Sequence, residues 1–326
     1  MQSRRLGGSG LQLTPIGLGT WAMGGGGWLF GWGPQDDAAS IDAIRAGLDA
    51  GINWIDTAAI YGHGHAETIV ARAVEGGRRD QVVIATKCGR VWEGDSRTIG
   101  KSLRRDSIFS EVDASLRRLR VDVIDLYQLH WPEPDEQVEE GWAAVGDLIA
   151  LGKVRFGGVC NFNLPQLQRA QAIHPITSLQ PPYSMLRRDI EAEVVQWCAA
   201  HDVGILAYSP MQAGLLTGTF TAARAAALSA DDWRSRNPLF QEPQLTINLR
   251  LVDALKPIAA RLDATVAQLA LAWVLRLPEI TSAIAGARSA VQIQETVRAG
   301  DLRLGADVIA EIEALLQARA SAIAPL

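Results

Sequence analysis

Cysteine is scarce in this chain: Cys88, Cys160 and Cys198 are three residues in 326, an odd number without CxxC spacing. That excludes a disulfide framework or a zinc ribbon as the organising device and fits a reducing, cytoplasmic setting. Long apolar runs are also missing. No stretch reaches the roughly 18 continuous apolar residues of a membrane helix. The opening MQSRRLGGSGLQL has two arginines with no apolar core behind them, so a secretory leader is not expected. Nor is there a basic run: 31 Lys+Arg against 36 Asp+Glu give a net charge of −5, which disfavours nucleic acid or anionic membrane as partners. No repeat, Ser/Gly/Pro linker or shift in composition divides the chain, so one domain over residues 1–326 is expected.

What is present is alternation. Short apolar, β-branched runs are predicted as strands at Ile16–Gly19, Asn53–Asp56, Val82–Lys87, Val123–His130, Val154–Cys160, Thr177–Gln180, Gly204–Tyr208 and Thr281–Ala285. Amphipathic helices are predicted between them at Asp36–Ala50, Ala66–Glu75, Ser107–Leu119, Glu136–Leu151, Leu164–Ala172 and Ile190–His201. Four more follow at Leu249–Leu262, Val266–Leu275, Ala290–Ala299 and Asp307–Ala318, which leaves extra helices at the C-terminal end. Eight strands alternating with helices is the sequence form of an α/β fold, the (β/α)8 TIM barrel. Leu6–Leu13, with Gly7, Gly8 and Gly10, reads as an N-terminal hairpin plugging the barrel floor. The segments Met23–Gln35, Cys88–Asp106 and Thr217–Pro243 are too long for plain connections, and the last contains the alanine-rich run Ala222–Ala230. All three follow a predicted strand and would overhang the carboxyl face, where barrels grip their substrates.

The run Ile16-Gly17-Leu18-Gly19-Thr20-Trp21-Ala22 imitates a GxGxxA dinucleotide fingerprint, with Asp36 and Asp37 downstream. That fingerprint must open a helix, and the residues that follow are Met23 and four glycines, Gly24–Gly27. Glycine costs about 1 kcal/mol per helical position, so a Rossmann reading is set aside.

Asp56, Tyr61, Lys87 and His130 stand at or just beyond three of the predicted strands, in IDTAAIYG, IATK and LYQLH. Each alone has an ordinary explanation as a turn cap, rim aromatic, surface lysine or core histidine. Together they are an acid, a phenol, an amine and an imidazole at one end of one sheet, which suits proton transfer to a carbonyl oxygen. A free phenol has a pKa of about 10. Positive charge from Lys87 is expected to lower it, with Asp56 holding the ammonium and His130 polarising the carbonyl.

GINWIDTAAIYGHGHAE, VVIATKCG, SLRRLRVDVIDLYQLHWPEP, LGKVRFGGVCNF, SLQPPYSML, ILAYSPMQAGLLTG and AIAGARSAVQIQET cover nearly the whole chain, and they resemble the aldo-keto reductases. The resemblance, which extends to the general-stress-protein and potassium-channel β-subunit branches, implies a barrel that binds NADP(H) across its carboxyl face. It makes Asp56, Tyr61, Lys87 and His130 the catalytic tetrad, with Tyr61 the general acid in reduction of an aldehyde or ketone. It assigns Asn161 and Gln180 to the nicotinamide carboxamide and Tyr208 to its ring. Backbone around Ser209, Leu215 and Gly218 falls to the pyrophosphate. Gly286 and Arg288 are assigned to the 2′-phosphate end, and Gln292, Glu295 and Thr296 lie near the adenosine. NADP is thereby preferred to NAD(H).

Cys160, Thr219, Ala285 and Thr296 depart from the family's usual serine, lysine, proline and asparagine, and the last three soften the cofactor clamp. Trp21, Trp92 and Trp131 follow strands and are expected to wall the substrate pocket, with Trp28 and Trp32 within reach. His63 and His65 lack a third ligand at useful spacing, so no metal is expected. The rival reading on the same scaffold is a cofactor-binding regulatory subunit, which the resemblance sets apart by extra N-terminal regions. Neither oligomeric state nor substrate identity follows from the residues.

Overall fold

A computed structural model describes residues 1–94, 98–229 and 232–323. The middle of the Cys88–Asp106 segment (95–97) and two residues of Thr217–Pro243 lie outside the described residues, the second pair taking the last residue of the Ala222–Ala230 run.

Eight parallel strands close into a barrel: β3 (Ile16–Gly19), β4 (Trp54–Asp56), β5 (Val83–Cys88), β8 (Ile124–Leu129), β9 (Val154–Cys160), β10 (Ser178–Gln180), β11 (Gly204–Ala207) and β12 (Ile280–Gly286). Each lies within a residue or two of its predicted span, because a strand buried on both faces has to be written in apolar residues. An antiparallel pair, β1 (Arg4–Arg5) and β2 (Gln12–Leu13), precedes the barrel. Its Leu6, Leu11 and Leu13 are buried against the interior residues Trp54, Ala85, Leu126, Leu206 and Ile284, so the hairpin does plug the floor. The tight packing there also explains the false fingerprint. A Cβ on Gly17 would stand 2.0 Å from the Trp54 ring, and one on Gly19 would stand 2.6 Å from Ile284. Those glycines make room for barrel-filling side chains, and Asp36 caps the first helix by accepting from the Ala39 amide at 2.7 Å.

The helices α1 (Asp37–Asp49), α2 (His65–Ala73), α3 (Arg105–Leu119), α4 (Val138–Ala150), α5 (Leu164–Gln171), α6 (Val194–Ala200), α7 (Ala222–Ala226), α8 (Gln244–Arg261), α9 (Val266–Val274), α10 (Ala290–Val297) and α11 (Ala306–Ile323) complete the fold. Capping boxes at Asn163/Gln166 and Thr265/Gln268 start α5 and α9 where the apolar periodicity starts. Five predicted helices differ from those observed, two of them because Asp135–Gln137 before α4 and Arg298–Gly300 after α10 form 3-10 turns. Ile190–His201 divides into a 3-10 turn, Asp189–Glu191, and α6. At that division the Glu191 carboxylate is held by Arg188, Arg276 and Tyr183. Two long helices reach beyond their predicted limits, α8 from Gln244 and α11 to Ile323; the first turns of α8 bury Asn248 beside Leu245, a polar residue that interrupts the apolar pattern. The Cys88–Asp106 segment also holds a two-stranded hairpin that the sequence reading lacked, β6 (Arg90–Val91) paired with β7 (Gly100–Lys101). Among the described residues no helix is long and apolar enough to cross a membrane.

Candidate active site

Strand direction gathers the polar residues. Asp56 ends β4, Lys87 is the penultimate residue of β5, and His130 follows β8. Asn161 follows β9, Gln180 ends β10 and Tyr208 follows β11, so all six stand at the carboxyl mouth. Tyr61 arrives from the turn between β4 and α2. Lys87 Nζ donates to both Asp56 carboxylate oxygens at 2.8 Å, to the Thr57 carbonyl at 2.8 Å and to the Tyr61 hydroxyl at 3.2 Å. The Lys87 and Asp56 side chains are 0% and 5% exposed, so this ion pair lies beneath the surface. The Tyr61 and His130 rings meet edge to face at 5.9 Å. Gln180 Nε2 donates to Asp56 Oδ1 at 2.8 Å, which ties the sixth barrel strand to the second.

The electrostatics correct one expectation. Tyr61 is held well above the ordinary phenol range, first by burial and then by the Asp56 carboxylate. Burial and the Asp56 carboxylate outweigh the lowering expected from the neighbouring Lys87 ammonium. His130 is shifted the other way, well below the ordinary imidazole range, by burial and then by the Lys87 and Arg90 cations. The site therefore holds a protonated phenol beside a neutral imidazole at neutral pH. Burial also pushes the Cys160 thiol up to about 12.

Asn161 has a left-handed backbone, φ 65°, that turns its amide into the mouth. Its Nδ2 donates to the His130 carbonyl at 3.0 Å, and its Oδ1 accepts from the Tyr208 hydroxyl at 2.8 Å. Among the described residues the only acceptance by Gln180 Oε1 is a weak one, from the Cys160 thiol at 3.7 Å, so this buried oxygen retains capacity for an amide donor. From Ser209 to Gly218 the backbone turns left-handed at Ser209, Gln212, Ala213, Gly214 and Gly218. Such a loop can direct successive N–H groups toward an anion. The Leu215 side chain faces Phe220, Phe240 and Leu245, leaving only its backbone for that role.

At the far end Gly286 ends β12 and Arg288 precedes α10. Arg288 Nε donates to Gln35 Oε1 and Nη2 to the Pro34 carbonyl, both at 2.6 Å, and its amide donates to Gln292 Oε1. Gln292 and Glu295 are exposed on α10. Thr296 is buried, and its hydroxyl donates to the Gln292 and Ile293 carbonyls of its own helix.

Trp21 lies 5.4 Å from the Tyr61 ring and Trp28, from the Met23–Gln35 segment, 6.1 Å, so both indoles pack against the phenol. Their indole N–H groups donate to the Phe30 and Gly25 carbonyls. Trp92 stacks on His63, while Trp131 stands exposed at the rim beneath Arg90. Trp32 turns to the other side, under the Arg234 guanidinium. His65 pairs with Asp37 at 2.9 Å, so the two imidazoles of the HGHAE run serve different neighbours. Arg90, with its guanidinium over Trp131, is a neighbour of the site that the sequence does not mark, because one arginine in a polar loop has no periodicity or motif.

Comparison with known proteins bears on both fold and site. The profile of the "Aldo/keto reductase family" matches residues 15–317. The aldo-keto reductase YhdN of Bacillus subtilis is 39% identical over 88% of this chain and 85% of its own length. An NADH-specific methylglyoxal reductase of Escherichia coli is 35% identical over 93% and 95%. A probable voltage-gated potassium channel β subunit of rice is 32% identical over 98% of each. That relative has no long extra N-terminal region, so the feature expected to separate regulatory subunits from this chain does not do so. The solved glycerol dehydrogenase of Gluconobacter oxydans superposes with a TM-score of 0.89, at 34% identity over 100% of this chain and 97% of that one. The chain belongs to the aldo/keto reductase family, a family of oxidoreductases.

Proposed function

We propose that this protein reduces aldehydes or ketones to alcohols with a nicotinamide cofactor, NADP(H) in preference to NAD(H), and that Tyr61 is the general acid. The observation that carries this reading is the Lys87 ammonium lying between the Asp56 carboxylate and the Tyr61 hydroxyl in a buried pocket. A reduced nicotinamide, when bound, supplies the hydride. Tyr61, whose oxygen accepts from Lys87, keeps its own O–H to donate to the carbonyl oxygen. Lys87 then supports the phenolate that forms, Asp56 holds Lys87 in place, and neutral His130 offers an N–H to the same carbonyl oxygen. Gln180 and Asn161 would fix the carboxamide, the Tyr208 ring would lie against the nicotinamide, and the Ser209–Gly218 backbone would meet the pyrophosphate. The Trp21 and Trp28 indoles packed against Tyr61 keep water from the reacting atoms.

Arg288 is the residue proposed for the 2′-phosphate, where it must exchange Pro34 and Gln35 for the anion. A hydrogen bond to a charged group is worth about 1.5–3 kcal/mol. Arg288→Ala should therefore raise the Kd for NADPH roughly tenfold or more while changing that for NADH much less. Equal losses, read by quenching of protein fluorescence, would take Arg288 out of this role. NADPH oxidation with 4-nitrobenzaldehyde tests the activity itself, and binding of NADPH with no turnover of any carbonyl would favour the regulatory-subunit reading.

The pH dependence follows from the two shifts. Reduction requires the protonated phenol, and a raised pKa keeps that form present to alkaline pH. Oxidation of the alcohol requires the phenolate and should climb as pH rises toward that pKa. Rate profiles measured in both directions should diverge in this sense. An oxidative limb complete by neutral pH would contradict the burial argument.

A further inference from the structure

The loop after the third barrel strand carries a cation that the proposed mechanism does not use. Arg90 lies three residues beyond Lys87 and opens the β6–β7 hairpin, where it pairs with Lys101. Its Nη2 donates to Glu133 at 2.8 Å. Lys101 reaches the same carboxylate oxygen at 2.9 Å, so two cations share one negative charge. The guanidinium lies 5.5 Å over the Trp131 ring, next in sequence to His130. Its Nη1 is buried and, among the described residues, has no hydrogen-bond partner. A buried charged donor left unmade is costly, so this atom calls for an acceptor, which water or a bound ligand can supply.

Position decides which ligand. The residues proposed for the cofactor come from β9 to β12 and α10, across the mouth, whereas Arg90 shares the β5–β8 side with Lys87, His130 and Trp131. The Trp131 ring it covers belongs to the residue after His130, which sets Arg90 on the His130 side of the mouth, and its charge adds to burial and Lys87 in lowering the His130 pKa. The tryptophans above Tyr61 cannot supply a second donor, because the N–H groups of Trp21 and Trp28 are already engaged.

We infer that Arg90 is a specificity residue that binds a second oxygen on the carbon next to the reacting carbonyl, so that the preferred substrates are 2-oxo carbonyl compounds. This rests on the reductase reading and narrows its substrate class. The shared chemistry is an acceptor oxygen one carbon from the reaction centre, supplied either by an uncharged carbonyl or by a carboxylate.

Two matched pairs separate those sources: 1-phenyl-1,2-propanedione against phenylacetone, and benzoylformate against acetophenone. Within each pair the compounds differ in the neighbouring oxygen function. Arg90→Met leaves Glu133 its Lys101 partner, so the hairpin keeps an ion pair. In at least one pair the variant should lose ten times more kcat/KM, chiefly through KM, on the oxygenated member than on its analogue. The pair affected tells carbonyl from carboxylate. Equal factors in both pairs would overturn the assignment and leave Nη1 to water. Binding of benzoylformate and of the dione to the NADP-loaded protein, followed by tryptophan fluorescence, reads the same contact without turnover. Unchanged affinity for both compounds in Arg90→Met overturns the inference even if the wild type reduces nothing. Failure of the wild type to reduce any carbonyl, with Arg90-dependent binding intact, overturns the reductase reading instead.

Discussion

Tyr61→Phe will reduce kcat for carbonyl reduction by roughly two orders of magnitude or more, the span expected when a general acid is removed. The substitution is nearly isosteric. It keeps the ring contacts with Trp21 at 5.4 Å, Trp28 at 6.1 Å and His130 at 5.9 Å, and it deletes one oxygen. Lys87 loses its longest contact, 3.2 Å, and retains Asp56 and the Thr57 carbonyl at 2.8 Å. Nicotinamide affinity and thermal stability should therefore stay close to wild type while the chemical step collapses. Single-turnover oxidation of bound NADPH separates that step from product release. A Phe variant with wild-type single-turnover rates would end the proposal that Tyr61 is the acid, and His130 would then have to supply the proton.

The barrel was legible because its strands are buried on both faces and must be spelled in apolar residues, while caps such as Asn163 and Thr265 mark the helix starts. The polar residues were legible for a related reason. Asp56, Lys87, His130, Asn161 and Gln180 each end or follow such a run, and a parallel barrel sends every strand end to one mouth. Three-dimensional partnerships were not legible. Arg90 finds Glu133 43 positions away, and only the folded chain shows that Lys101 claims the same oxygen. Arg288 meets Gln35 across 253 positions, and Gln180 meets Asp56 across 124. The direction of the Tyr61 shift was not legible for the same reason. A lysine beside a phenol lowers its pKa, but a lysine bound to a buried aspartate leaves burial to decide. Thr296 shows the limit of motif position, since a hydroxyl that can bond its own helix does so when it is buried.

The second large effect should appear at Lys87, and in two observables at once. Lys87→Met removes the ammonium that would stabilise the Tyr61 phenolate, so reduction should fall at least as far as in Tyr61→Phe. It also leaves the Asp56 carboxylate in the barrel with the Gln180 amide at 2.8 Å but no counter-charge. Removing one partner of a buried ion pair costs about 3–5 kcal/mol, which urea unfolding resolves easily. The Asp56→Asn/Lys87→Met double variant separates the two consequences. With no charge left stranded it should regain part of the stability lost in Lys87→Met, by a coupling on the order of 0.5–3 kcal/mol. Activity should not return with it, because the cation beside the phenol is still missing. Strict additivity of the two stability losses would mean that the pair is solvated rather than buried. Recovery of turnover along with stability would mean that Lys87 serves the fold rather than the reaction.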